Sequence, residues 1–169
     1  MEATNKNYVF LVDDDEMYLA ALKHQLSSSD NNKEKNKNGI EFKTFLSGEH
    51  CLKNLDMHPS IVILDYYLKK AKNALSGIQT LNEIKKYNSD TQVIMLSSHE
   101  DIDLAVNCIK HDAFDYVIKN ESAFIRAKHL ISNILYNLDI KKEMKKFERW
   151  NIAAAIALIL IIVLCIMIL

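Results

Sequence analysis

Residues 8–18 read YVFLVDDDEMY, a stretch that joins an apolar run to three consecutive carboxylates. The run of apolar residues indicates a short buried strand. Adjacent carboxylates repel one another, so each must be hydrated, paired or bound to a cation. Two interpretations stay open at this point: one of the acids caps the helix that follows, or the acids together form a cation site.

Four further apolar runs follow within the first 120 residues, separated by stretches with helical spacing. They are IEFKTF (40–45), IVILD (61–65), QVIMLSS (92–98) and FDYVIK (114–119). Strands that alternate with helices favour βαβ units and a parallel sheet. Continuous apolar runs, rather than alternating ones, indicate strands that are covered on both faces. The sequence therefore predicts an α/β fold with a doubly wound, five-stranded parallel sheet.

Helical apolar spacing marks the segments between these runs. It predicts helices over 17–26 and 75–87, and shorter ones near 48–55 and 101–110. The polar residues 27–39, SSSDNNKEKNKNG, show no periodicity and predict a surface loop.

From Glu121 onward the helical spacing continues, without Gly or Pro, to Trp150. The last helix is therefore expected to extend into a stalk. Phe124, Ile131 and Leu138 lie seven residues apart, which fits either a homodimer seam or packing of this helix onto the sheet. The two interpretations stay open.

The C-terminal residues 152–169, IAAAIALILIIVLCIMIL, carry no charged side chain. At a rise of ~1.5 Å per residue they reach about 27 Å, close to the ~30 Å hydrocarbon core of a bilayer. Basic residues outnumber acidic ones over 139–149, and Trp150 follows, as is typical of a cytoplasmic flank. We predict a basic juxtamembrane stalk over 136–150 and a transmembrane tail anchor over 151–169. The N-terminal bulk would be cytoplasmic, and a buried core helix is the alternative.

Composition excludes several other classes of protein. The formal net charge of −1 leaves no basic stripe for nucleic acid. The three cysteines and six histidines show no metal-ligand spacing. No nucleotide-binding motif of a kinase is present, so any kinase would be a separate protein.

Polar side chains stand at the carboxyl end of four of the five predicted strands. The first strand ends on Asp13 and Asp14, the third on Asp65, the fourth on Ser97 and the fifth on Lys119. Ligands of open α/β sheets bind beyond this edge. Each residue has an ordinary alternative as a cap, a turn or a solvated strand end. Together, however, carboxylates suit Mg²⁺, a hydroxyl and an ammonium can hold phosphoryl oxygens, and a carboxylate can act as a nucleophile.

The order FLVDD … ILD … IMLSS … YVIK resembles the receiver domain of two-component response regulators, over roughly residues 7–135. The resemblance implies a flavodoxin-like sheet with strand order 2-1-3-4-5 and a receiver domain spanning 1–135. It also matches Gly77 to the glycine that opens the third helix of the family.

The same resemblance implies the roles of the site residues. Asp65 would accept a phosphoryl group from a sensor histidine kinase or a histidine phosphotransfer protein. Asp13, Asp14, Asp65 and the backbone carbonyl of Tyr67 would hold Mg²⁺. Lys119 would offset the charge of the transferring group.

The switch residues that the resemblance implies are Ser97 and Tyr116, which would respond to the phosphoryl group. Asn120 stands where the family usually has proline after the lysine, which makes a trans Lys119–Asn120 bond an open alternative to cis. The loop after Asp65 is longer than is usual in the family.

We therefore expect a membrane-anchored, single-domain response regulator, not an enzyme, that switches its contacts with a downstream protein. A receiver within a phosphorelay is an alternative, and so is a non-phosphorylated scaffold at the membrane. An aspartate phosphohydrolase of the haloacid dehalogenase type is a third. It would use Asp13 and Asp15 as its D-x-D pair, with Asp13 as the nucleophile.

Overall fold

The computed structural model of the chain describes residues 6–28, 39–68 and 74–168, with side chains up to residue 156. Two compact units make up the chain, Met1–Ile131 and Ser132–Leu169. The strands are β1 (Asn7–Val12), β2 (Ile40–Phe45), β3 (Ile61–Asp65), β4 (Gln92–Ser97) and β5 (Asp115–Ile118). The helices are α1 (Glu16–Ser27), α2 (Gly48–Leu52), α3 (Gly77–Tyr87), α4 (Ile102–Lys110) and α5 (Ala123–Ile168).

The five strands of the first unit form one parallel sheet in the order β2-β1-β3-β4-β5. This confirms the α/β class and the strand order implied by the resemblance. Val12 of β1 pairs with Leu64 of β3, so the residues that follow both strands emerge at the same edge of the sheet.

Both faces of the sheet are covered, as the continuous apolar runs predicted. Successive side chains of a strand point to opposite faces. On one face a single apolar cluster joins strand residues such as Phe10 and Val62 to Leu81 of α3 and Cys108 of α4. The strand residues of alternate parity are equally inaccessible to solvent: Val9, Leu11, Ile61, Ile63 and Ile94. Burial on both faces fixes the register of the strands.

Capping residues determine where the helices begin. α3 begins at Gly77, two residues later than predicted, because Ser76 forms a capping box with Gln79: Ser76 Oγ accepts from Gln79 N at 3.3 Å and Gln79 Oε1 from Ser76 N at 2.9 Å. α2 ends at Leu52, three residues earlier than predicted, and a separate 3-10 turn follows at Leu55–Met57. The predicted loop over 27–39 falls mostly on residues outside the described ranges.

Gly77 is required by the close approach of α3 to the end of β3. A Cβ atom at this position would overlap the carbonyl oxygen of Asp65 and lie 2.7 Å from Tyr66 Cα and 2.8 Å from Tyr66 O. These are backbone atoms, so neither a rotamer change nor a small shift relieves the overlap. The glycine thereby lets α3 pack against the backbone that carries Asp65.

We expect Gly77→Ala to lower the free energy of unfolding by about 1–3 kcal/mol, since overpacking forces the backbone to move. Chemical denaturation measures the change. Gly39→Ala is the matched control, because no atom lies within 4 Å of a Cβ built at Gly39. Equal stabilities of the two variants would contradict the packing argument.

The second unit is the continuation of α5 from Ser132 to Ile168. Along its described side chains, Lys142 pairs with Asp139 at 3.5 Å and Lys146 with Glu143 at 2.9 Å. The helix does not break between Ala123 and Ile168, as the lack of Gly and Pro predicted.

Ile131 is only 4% exposed, so it is not available to a dimer seam with Phe124 and Leu138, and the alternative of intrachain packing is correct for this residue.

Within the part of the chain that the structure describes, no helix is sufficiently long and apolar to cross a membrane. The predicted anchor over 151–169 falls largely on residues 157–169, whose side chains are not described, and stays a prediction.

Candidate functional site

Three carboxylates meet at the carboxyl edge of the sheet. Oxygens of Asp13, Asp14 and Asp65 all lie within 4.8 Å of one another. Asp13 is 1% exposed and Asp65 is 3% exposed, whereas Asp14 is partly exposed. The cluster therefore has a buried floor and an open side toward solvent, which is the arrangement expected of a site that exchanges a ligand.

In the turn after β1, Asp13 and Asp15 accept different backbone hydrogen bonds. Asp13 Oδ1 accepts from the backbone N–H of Asp15 at 2.9 Å. Asp15 in turn caps α1, accepting from the N–H groups of Met17 at 2.9 Å and Tyr18 at 3.1 Å. The capping interpretation is therefore correct for Asp15. The two acids before it lie together with Asp65, and their role as a cation site stays a prediction.

Lys119 brings a cation to the cluster from the end of β5. Its Nζ lies 2.6 Å from Asp13 Oδ2 and 2.8 Å from Asp65 Oδ1. The backbone N–H of Lys119 donates to the carbonyl of Ser97 at 2.7 Å, which ties the end of β5 to the end of β4. No cis peptide bond occurs in the described residues, so the Lys119–Asn120 bond is trans. The lysine reaches both carboxylates with Asn120 in the place of the usual proline.

The charges of the cluster do not balance. Burial raises the pKa of Asp65, and the nearby charges of Asp13 and Asp14 act in the same direction, while Lys119 opposes them. Burial lowers the pKa of Lys119, but its hydrogen bonds to Asp13 and Asp65 outweigh burial and raise it. Three carboxylates thus share one ammonium, so a further cation is electrostatically favoured here.

The residues present fit Mg²⁺. Its preferred ligands are oxygens, and it is usually bound through one or two carboxylates with waters completing the shell. Asp13, Asp14 and Asp65 supply the clustered carboxylates, and Asp14 faces the open side. The ligand role of the Tyr67 backbone carbonyl stays a prediction.

The two expected switch residues lie beside this edge of the sheet. Ser97 ends β4, is fully buried, and its Oγ accepts from the backbone N–H of His99 at 3.1 Å. Tyr116 of β5 is 8% exposed, and its hydroxyl donates to the carbonyl of His99 at 2.6 Å. Both side chains therefore contact the segment that follows β4. Their role as a switch stays a prediction.

Sequence reasoning missed Tyr18. Its ring centroid lies 4.6 Å from Nζ of Lys119 and 5.7 Å from the ring of Phe124. Burial, with the charges of Asp13 and Asp65, raises the pKa of Tyr18 to about 12. No local pattern marks this residue. Its partners, Lys119 and Phe124, lie far along the chain and contact it only after folding.

Known families and proteins match this chain in both sequence and structure. The family model described as the response regulator receiver domain matches residues 9–128. A putative NtrX-like response regulator of Rickettsia felis is 32% identical over 143 residues, which are 80% of this chain and 28% of that protein. The regulatory protein AtoC of Escherichia coli is 31% identical over 78 residues, 41% of this chain and 16% of that protein. The chain thus spans less than a third of the length of these relatives.

Solved structures give the same match. The receiver domain of NtrX from Brucella abortus has a TM-score of 0.64 and 28% identity, with coverage of 76% of this chain and 98% of that one. The BeF3-activated receiver domain of DrrB has a TM-score of 0.63 and 25% identity, with coverage of 78% and 98%. The similarity covers almost all of each of these domains.

Proposed function

We propose, from the premise that this chain belongs to the family of response regulator receiver domains, that Asp65 accepts a phosphoryl group from a phosphohistidine of a partner protein. The observation that carries the proposal is the cluster of Asp13, Asp14 and Asp65 with Lys119 in contact with two of them. In the transfer, the phosphorus–nitrogen bond of the donor breaks as a bond forms between phosphorus and an Asp65 oxygen.

The contacts of the two buried acids favour Asp65 over Asp13 as the nucleophile. Both oxygens of Asp13 are engaged, one by the N–H of Asp15 and one by Lys119. Asp65 forms an ion pair with Lys119 through Oδ1. An Asp13 nucleophile, as in the haloacid dehalogenase alternative, would have to give up either its hydrogen bond from the N–H of Asp15, which shapes the turn into α1, or its contact with Lys119.

Charge neutralisation is the main contribution of the remaining residues. The transferring group carries negative charge on its oxygens, and fixed cations lower the energy of that arrangement. Lys119 supplies one such cation, held by two ion pairs. Mg²⁺, when bound by Asp13, Asp14 and Asp65, would supply a second.

The output is proposed to be a change in protein–protein contacts. Ser97 and Tyr116 both contact the segment after β4 through His99. A phosphoryl group on Asp65 that draws Ser97 toward it would change this segment, biasing an equilibrium between two packings. The chain is not expected to be an enzyme, apart from loss of its own phosphoryl group, and the donor would be a histidine kinase or a histidine phosphotransfer protein.

We further propose that residues 151–169 anchor the chain in a membrane, with the receiver domain in the cytoplasm. The support is the uncharged run 152–169 and the basic flank before Trp150. Fractionation of cells that express the full chain or a chain ending at Trp150 tests it. Membrane association that is unchanged by the truncation would contradict the anchor.

Treatment of the full chain with acetyl phosphate and Mg²⁺ tests phosphorylation. A mild detergent keeps the apolar residues 152–169 in solution. We expect intact-mass analysis to show a gain of one phosphoryl group in Mg²⁺ and none in EDTA, because the carboxylate cluster needs the metal to offset its charge.

The decisive contrary result is a folded protein that gains no mass in Mg²⁺. Circular dichroism of the same sample shows whether the fold is present. That result would favour the scaffold alternative, in which the acids are kept without phosphorylation. A gain that persists in EDTA would instead show that the transfer does not need the metal.

A further inference from the structure

Tyr18 is held at the wall of the carboxylate cluster by contacts on two sides. Its backbone N–H donates to the capping carboxylate of Asp15 at 3.1 Å, which fixes the first turn of α1. Its ring pairs with the ring of Phe124 at a centroid separation of 5.7 Å. These contacts fix the backbone of Tyr18 in the first turn of α1 and place its ring beside Phe124.

The ring of Tyr18 faces the ammonium of Lys119. Nζ lies 4.6 Å from the ring centroid, within the range at which the negative face of an aromatic ring attracts a cation. The same Nζ contacts Asp13 and Asp65. The ammonium thus lies between two carboxylates and a ring.

The hydroxyl of Tyr18 is buried, and it finds no hydrogen-bond partner among the described residues. The phenol remains uncharged at neutral pH, since its pKa is about 12. It therefore does not compete with the carboxylates as an anionic partner of Lys119. These two features indicate that the ring, rather than the hydroxyl, is the part of Tyr18 that acts on the lysine.

We propose that Tyr18 is a positioning residue for phosphoryl transfer, whose ring holds the ammonium of Lys119 against Asp13 and Asp65. The inference depends on the proposed phosphorylation of Asp65. Lysine is a flexible side chain that loses rotamer freedom when it is held. A ring that restricts it in advance keeps the charge where the oxygens of the transferring group arrive.

The test compares Tyr18→Phe with Tyr18→Leu in the full chain, using acetyl phosphate and Mg²⁺. We expect Tyr18→Phe, which keeps the ring, to be phosphorylated within about twofold of the wild-type rate. Tyr18→Leu, which loses the ring, should be phosphorylated about fivefold more slowly or worse. Leu22→Ala is the control for lost packing in α1, because Leu22 is 1% exposed and its loss should lower stability without changing the rate.

A second measurement reads the position of Lys119 directly. The Hε protons of Lys119, observed by NMR in the unphosphorylated protein, should be shifted upfield by the ring in the wild type and in Tyr18→Phe. They should lose this shift in Tyr18→Leu. A role limited to stability would not move this signal.

The outcomes separate the inference from the function on which it depends. Equal rates for Tyr18→Phe and Tyr18→Leu, with the wild type phosphorylated, would overturn the positioning role alone. An unchanged Lys119 signal in Tyr18→Leu would do the same. A wild-type chain that is not phosphorylated would overturn the proposed function, and the positioning role with it.

Discussion

Asp65→Asn is expected to abolish the mass gain from acetyl phosphate and Mg²⁺. The amide is not a nucleophile toward phosphorus, and the substitution also removes one of the three clustered carboxylates. Intact-mass analysis should therefore show only unmodified protein for this variant. The effect is the largest that we expect, because the bond to phosphorus cannot form.

Asp56→Asn is the matched control for this substitution. Asp56 is an exposed acid in the 3-10 turn before β3, outside the carboxylate cluster. Asp56→Asn makes the same change of charge and size as Asp65→Asn, but at a site that should not be phosphorylated. This variant should therefore gain one phosphoryl group, as the wild type does. A gain that survives in Asp65→Asn would place the acceptor elsewhere, and Asp13→Asn would then test the haloacid dehalogenase alternative.

Lys119→Met is expected to lower the free energy of unfolding of the metal-free protein by about 3 kcal/mol. The substitution leaves the buried carboxylates of Asp13 and Asp65 without their common cation. Removing one partner of a buried ion pair costs far more than the pair contributes, because the remaining charge has no compensation. Denaturant unfolding in EDTA measures the loss, and Mg²⁺ should restore part of it.

Lys86→Met provides the comparison at the surface. Lys86 pairs with Glu83 at 2.6 Å on α3, but its side chain is 72% exposed. Exposed pairs contribute about 0–1 kcal/mol, so this variant should be close to wild type in stability. If Lys119→Met lost no more stability than Lys86→Met, the argument that Lys119 neutralises a buried cluster would be wrong.

The fold class follows from features that are local in the sequence. Continuous apolar runs of strand length, each followed by a helical pattern, predicted the doubly wound sheet, and the strand bounds differ from the predicted ones by one residue at most. Helix starts were less certain, as α3 shows, because capping by Ser76 is decided by side-chain contacts with Gln79. Asp15 as a cap was predictable, since it lies directly before α1.

The acids of the site were predictable for a related reason. In a parallel sheet the carboxyl ends of neighbouring strands share one edge, so polar residues at those ends are expected to meet. Asp13, Asp14 and Asp65 do so. Their assigned chemistry, however, came from resemblance to a family, since three carboxylates alone do not distinguish a phosphoacceptor from a metal ligand.

The sequence by itself determined the alternation of strands and helices, the Asp15 cap and the acids at the carboxyl ends of the strands. Only the tertiary structure decided the contact between Lys119 and Asp13, which lie 106 positions apart, and the ring of Tyr18 beneath that lysine. It also decided that Gly77 has no room for a Cβ atom. The physical reason is that local patterns depend on neighbouring residues along the chain, whereas these contacts depend on how α1 and α3 pack on the sheet and on the place of β5 within it.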